Sequence, residues 1–158
     1  LAHKAAMLGY NPELILAARR INDDMGPHVA GRVLRAMAKA RVNIVDSNIL
    51  VLGLSFKENC PDVRNTKVVD LLSELSETNA NIDVYDPWVD AREAEHEYGI
   101  KLARKPEPGS YDAVILAVAH QQFVGAEAEF DIGSLLKKNG IIFDVKGILP
   151  RSENTHRL

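Results

Sequence analysis

With 158 residues, of which 46% are hydrophobic and 26% charged, and a net charge of −3, the chain can bury one core and offers no basic surplus for nucleic acid or an anionic membrane. No apolar run approaches the ~20 residues a transmembrane helix needs, and the opening Leu-Ala-His-Lys-Ala-Ala lacks the h-region and cleavage site of a signal peptide. The single cysteine, Cys60, excludes an internal disulfide and suits a reducing cytoplasm.

Leu1 to Leu8 reads as two helical turns stopped by Gly9. Because Leu1 falls where a helix is already under way, the chain reads as part of something longer. Asn11 is placed to cap the next helix, with Pro12 at its first position and Glu13 in its first turn. From Pro12, apolar residues recur at three- and four-residue steps to Ala40, which predicts one amphipathic helix of roughly 29 residues. Gly26-Pro27 predicts a kink or break within it. Its apolar face can pack on its own domain or on a second copy of the chain. Residues 41 to 48 are a polar connector.

Ile49 to Leu54 carries no polar side chain, as expected of a central parallel strand covered on both faces. It runs into a loop bearing Lys57, Asp62 and Arg64, and then into a helix from Thr66 to Glu77 for which Asn65 or Thr66 is a plausible cap. A strand, loop and helix in that order put the loop at the carboxyl edge of a parallel sheet, where such sheets bind ligands. An ordinary βα connection with solvated charges explains the residues equally well. Ile82 to Asp86 is a second strand ending in a carboxylate, where a dinucleotide-binding Rossmann unit would hold a ribose. Yet the first loop, Gly53-Leu-Ser55, lacks the Gly-x-Gly-x-x-Gly that seats a pyrophosphate.

Asp90 to Tyr98 predicts a helix closed by Gly99, Ile100 to Ala103 a short strand, and Pro106 to Gly109 a turn. Tyr111 to Ala119 is the most apolar run and a further central strand, ending at His120. A histidine there can touch ligand or serve as a loop contact, the latter being commoner. Phe130 to Lys138 predicts a short helix ended by Asn139-Gly140, Ile141 to Lys146 the last strand, and the tail from Gly147 a frayed end. Lys57, Arg64 and Lys146 each follow a strand on one rim, a convergence that favours a diphosphate or another anion.

Gly53-Leu-Ser-Phe-Lys57 followed by Asp62-Val-Arg64-Asn-Thr-Lys resembles the signature of the UDP-glucose and GDP-mannose dehydrogenase family, at the start of its C-terminal UDP-binding domain. Phe-Lys-Glu-Asn and Asp-x-Arg-Asn are most similar to the UDP-N-acetylhexosamine 6-dehydrogenases of polysaccharide synthesis. The blocks Gly9-Tyr-Asn-Pro, Arg19-Arg-Ile-Asn-Asp-Asp-Met-Gly26, Val84-Tyr-Asp-Pro-Trp88 and Phe143-Asp-Val-Lys-Gly147 extend the resemblance over nearly the whole chain.

The resemblance implies an α/β fold, a Rossmann-like doubly wound, mainly parallel sheet preceded by a long helix from a central dimerisation domain. Residues 1–42 would end that helical domain, and 43–158 would form the UDP-sugar-binding domain. It implies that Phe56, Lys57 and Lys146 touch the UDP-sugar, some relatives having Arg in place of Lys146, and that Arg64 reaches an NAD held by another domain. The implied enzyme is an NAD-dependent, cytoplasmic homodimer. It oxidises the sugar C6 hydroxyl to a carboxylate through a cysteine in a Gly-Gly-x-Cys motif that this sequence lacks. Cys60 then becomes a structural loop residue, no catalytic residue is assigned within the chain, and no metal-ligand spacing occurs. The competing reading is a stand-alone nucleotide-binding or scaffold domain without turnover.

Overall fold

The computed structural model describes residues 13–158. The helical run expected from Pro12 to Ala40 is two helices, α1 (Glu13–Asp23) and α2 (Met25–Lys39), and the turns expected for Leu1 to Leu8 lie outside the described residues. The break falls at Asp24 rather than at Gly26-Pro27. Pro27 sits in the first turn of α2, where its missing N–H costs little. Gly26 serves contact instead: a β-carbon there would lie 2.5 Å from Asp70 Cβ, so only glycine lets α2 pack this closely on the next helix.

The remaining elements are β1 (Asn48–Leu52), α3 (Val68–Ser76), β2 (Asn81–Tyr85), α4 (Ala91–Tyr98), β3 (Tyr111–Leu116), two short 3₁₀ turns (Gly125–Glu127 and Ile132–Leu135), β4 (Leu136–Asp144) and β5 (Thr155–Arg157). The strands form one sheet in the order β2-β1-β3-β4-β5, and every pairing is parallel. The α/β expectation therefore holds, with no antiparallel strand in the described sheet.

Apolar side chains alternate between two cores. Ile49 and Val51 of β1 join Ile115 of β3 beneath α2 and α3, which contribute Val29, Val33, Met37, Leu71 and Leu75. Leu50, Leu52, Val114 and Leu116 point to the other face. That face is covered by Phe123, Ile132 and Leu135 of connecting chain and 3₁₀ turn, not by an α-helix. α4 is bounded as expected, with the Asp90 carboxylate accepting from Arg92 and Glu93 N–H and with Gly99 at φ 68°.

Four further expectations fail. Ile100 to Ala103 is not a strand; its tie to the sheet is one bond from Ala103 N–H to the Val84 carbonyl, 2.7 Å. The helix expected from Phe130 to Lys138 is the 3₁₀ turn at Ile132–Leu135, capped by Asp131. Beyond it β4 begins at Leu136, five residues before the expected Ile141, and Asn139-Gly140 lies inside the strand. The tail is not frayed, since β5 adds a fifth parallel strand beside β4.

Candidate functional site

β1 and β3 are adjacent, and the chain leaves them in opposite directions along the sheet, toward β2 and toward β4. That is the switch point at which open α/β sheets present a crevice. A cleft of about 170 Å³ opens there, its floor made by Val29, Val68, Leu71 and Val118 and its mouth by Phe56 and Lys146. Gly53, at φ 92°, turns the chain out of β1, and a β-carbon on it would lie 2.5 Å from Val118 Cβ. α3 starts at the cleft, with the Thr66 hydroxyl accepting from Val68 N–H at 3.3 Å, so the positive end of its dipole faces the opening.

The structure brings two of the four expected site residues together. The Phe56 ring is 57% exposed at the mouth, and Lys146 Nζ reaches from the β4 loop to Glu58 Oε1 at 2.7 Å, closing one side. The Lys146 hydrogen bond holds the Glu58 carboxyl below its ordinary value. Lys57 and Arg64 stay out of the cleft lining. Arg64 folds back on Asp62 with two parallel bonds of 2.9 and 2.8 Å, which hold the Asp62 carboxyl at about 2. Lys57 is exposed and adds its charge to the field on Asp62. Cys60 is a free, half-buried thiol on the same loop and does not line the cleft. Among the described residues no group of His, Cys, Asp and Glu could hold a metal, and no helix is long and apolar enough to cross a membrane.

Beneath this loop lies a buried polar cluster whose contacts the sequence does not announce. Asp86 Oδ2 accepts from Leu54 N–H (2.7 Å), Ser55 N–H (2.9 Å) and His120 Nε2 (3.1 Å). Its Oδ1 accepts from Trp88 N–H (2.8 Å) and Val89 N–H (3.2 Å). Burial pushes this carboxyl up, but the His120 bond and the two backbone donors outweigh it and leave its pKa lowered. With five donors already seated, Asp86 has no acceptor left for a ribose. The missing glycine fingerprint and the inward carboxylate agree that this edge does not hold a dinucleotide by itself.

Ser55, His120 and Asp86 resemble a hydrolytic triad in composition only. Ser55 Oγ and Asp86 both approach the same ring nitrogen, Nε2, at 3.1 Å, whereas a relay needs one partner on each nitrogen. Nδ1 accepts from the Asn59 backbone N–H at 2.9 Å, which fixes the Nε2–H tautomer. His120 is fully buried and ties the loop after β1 to those after β2 and β3. Its position at a strand end was the available signal; its partners depend on the loop conformations.

An all-parallel Rossmann-like sheet, a cleft at its switch point and no dinucleotide fingerprint define a nucleotide-binding α/β domain of a variant kind. Residues 50–151 match the model of the UDP-glucose/GDP-mannose dehydrogenase family, UDP binding domain, and the chain belongs to that family. It is 49% identical over 158 residues to a UDP-N-acetyl-D-glucosamine 6-dehydrogenase of Pseudomonas aeruginosa and 44% identical to one of Salmonella typhi, covering all of this chain and 37% of each relative. The chain thus spans little more than a third of these curated relatives. In fold it is similar to a UDP-D-ManNAc dehydrogenase of Pyrococcus horikoshii, with a TM-score of 0.73, 24% identity and coverage of 91% of this chain and 33% of that one.

Proposed function

We propose that this chain is the UDP-binding part of an NAD-dependent UDP-N-acetylhexosamine 6-dehydrogenase, which oxidises the sugar C6 hydroxyl to a carboxylate for surface polysaccharide synthesis. The observation that carries the reading is the switch-point cleft, where Phe56, Lys146 and the N-terminus of α3 surround an apolar floor. An aromatic ring and apolar walls suit a nucleobase or sugar face, and the ammonium and helix end suit a diphosphate. A cleft of about 170 Å³ is smaller than the ~300–1,000 Å³ usual for ligand sites, so the rest of the pocket comes from chain beyond these residues.

In this reading Lys57 meets the UDP-sugar from the rim. Arg64 exchanges Asp62 for the NAD held by another domain, and the nucleophilic cysteine comes from a Gly-Gly-x-Cys motif that lies outside both that domain and these residues. Residues 1–42 end a central helical segment, and its exposed apolar side chains, Leu14 at 84% and Ile21 at 67%, are covered in a homodimer. The free thiol of Cys60 suits a reducing cytoplasm.

The test is calorimetric titration of the full-length enzyme with UDP-sugar and, separately, with NAD. Lys57→Ala is expected to weaken UDP-sugar binding roughly ten- to a hundred-fold with NAD affinity unchanged, and Arg64→Ala to do the reverse. Wild-type UDP-sugar affinity in Lys57→Ala would reduce the loop to a plain βα connection.

A further inference from the structure

Away from the cleft, Arg32, Arg35 and Lys39 follow one another along α2 at steps of three and four residues, which places them on one helical face. Opposite them β5 supplies His156 and Arg157, and Ala36 and Phe143 floor the groove between, which has a volume of about 330 Å³. Every polar side chain lining this groove is basic. Two of them are fixed: Arg32 Nη2 donates to the Arg157 carbonyl at 2.9 Å, and Arg157 is turned toward the Leu149 carbonyl and the buried Asp144, 3.8 Å away. The Nε of Arg157 is buried with no hydrogen-bond acceptor.

Four of the five basic groups have no acidic partner beside them. Arg32, Arg35, Lys39 and His156 form no ion pair among the described residues. Glu153 lines an adjoining groove with Lys39 and His156 and pairs with neither. Leu1 to Pro12 contains no Asp or Glu that could fill the gap. In a chain of net charge −3, so many cations held side by side repel one another, and an anion between them relieves that repulsion.

We propose that this groove is an oxyanion site for a diphosphate or longer polyphosphate group, separate from the switch-point cleft and independent of what the cleft binds. Arg32 and Arg35 are three residues apart, about 4.5 Å along the helix axis, and Lys39 lies about 10 Å from Arg32. A diphosphate can therefore engage two guanidinium groups at once, whereas a single phosphate is held chiefly by one.

The experiment is an NMR titration of the isotope-labelled 158-residue chain with inorganic pyrophosphate at low salt. Saturable shifts are expected at the amides of Arg32, Arg35, His156 and Arg157. The Arg35→Glu/Lys39→Glu double variant should weaken binding about tenfold or more while its melting temperature stays unchanged, both residues being exposed at the surface. Shifts confined to the amides of Phe56 and Lys146 would place the anion in the cleft and overturn the proposal. So would the absence of saturation by ~10 mM, the result expected if the groove receives only an acidic protein surface.

Discussion

β2 and β4 each deliver an aspartate to the carboxyl edge of the sheet, and both side chains turn inward, Asp86 at 5% exposure and Asp144 at 0%. Asp144 serves its own neighbourhood: it accepts from Lys146, Gly147 and Leu149 N–H at 2.8 to 3.1 Å, wrapping the loop that presents Lys146 to the cleft. Asp86 reaches across 31 and 32 residues to Ser55 and Leu54, and through His120 to the loop after β3. One carboxylate shapes its own loop and, beyond it, faces Arg157 of β5 at 3.8 Å; the other fastens three loops to each other. The cleft consequently owes its walls to two devices of different range, and damage to each should spread differently.

The largest effect is expected from Asp86→Ala, which leaves four backbone N–H groups and His120 without their acceptor. Urea unfolding should show a loss of roughly 3–5 kcal/mol, and hydrogen exchange should quicken together at Leu54, Ser55, Trp88 and Val89. Asp144→Ala should cost about 1–3 kcal/mol, with faster exchange limited to residues 146 to 149 and to Arg157, which faces the same carboxylate. If the two variants lose protection over the same residues, the distinction between long-range and local fastening fails.

A smaller effect should come from acid. The folded-state pKa of Asp86 lies below the ordinary 3.8, so its ionised form contributes stability above that value, which is lost as pH falls through the folded pKa. The difference in urea midpoint between wild type and Asp86→Asn should hold constant from pH 7 to about 5 and narrow below about 4. A difference that already shrinks between pH 7 and 5 would mean that the buried carboxyl is raised, with desolvation dominating its hydrogen bonds.

What the sequence disclosed follows from the range of the forces involved. β1 and β3 were legible because a strand buried on both faces must be continuously apolar, β2, at the sheet edge, because Ile82 and Val84 alternate with polar Asn81 and Asp83, and α4 because Asp90 and Gly99 act within a few residues. The segment Phe130–Lys138 misled because its apolar spacing suits a helical turn equally well, whereas pairing with β3 draws Leu136 into the sheet. β5 is polar and three residues long, and what orders it is partners elsewhere: the β4 ladder and Arg32 on the Arg157 carbonyl. In the cleft, Phe56 and Lys146 were readable as residues of a strand-following loop. That Lys146 answers Glu58 and Arg64 answers Asp62 depends on loop paths set by Asp144 and Asp86.

Gly26 has a mechanical consequence. Because its bare backbone lets α2 press against α3 at Asp70, and because Lys67 Nζ bridges Asp23 of α1 (2.8 Å) and Asp70 of α3 (3.1 Å), the arm formed by α1 is clamped to the helix that begins at the cleft. A tilt of α1 therefore pulls first on Lys67, the residue just ahead of α3 and beside Thr66 and Val68. Whatever grips the exposed Leu14 and Ile21 holds a lever whose fulcrum is Gly26 and whose short end is the floor of the cleft.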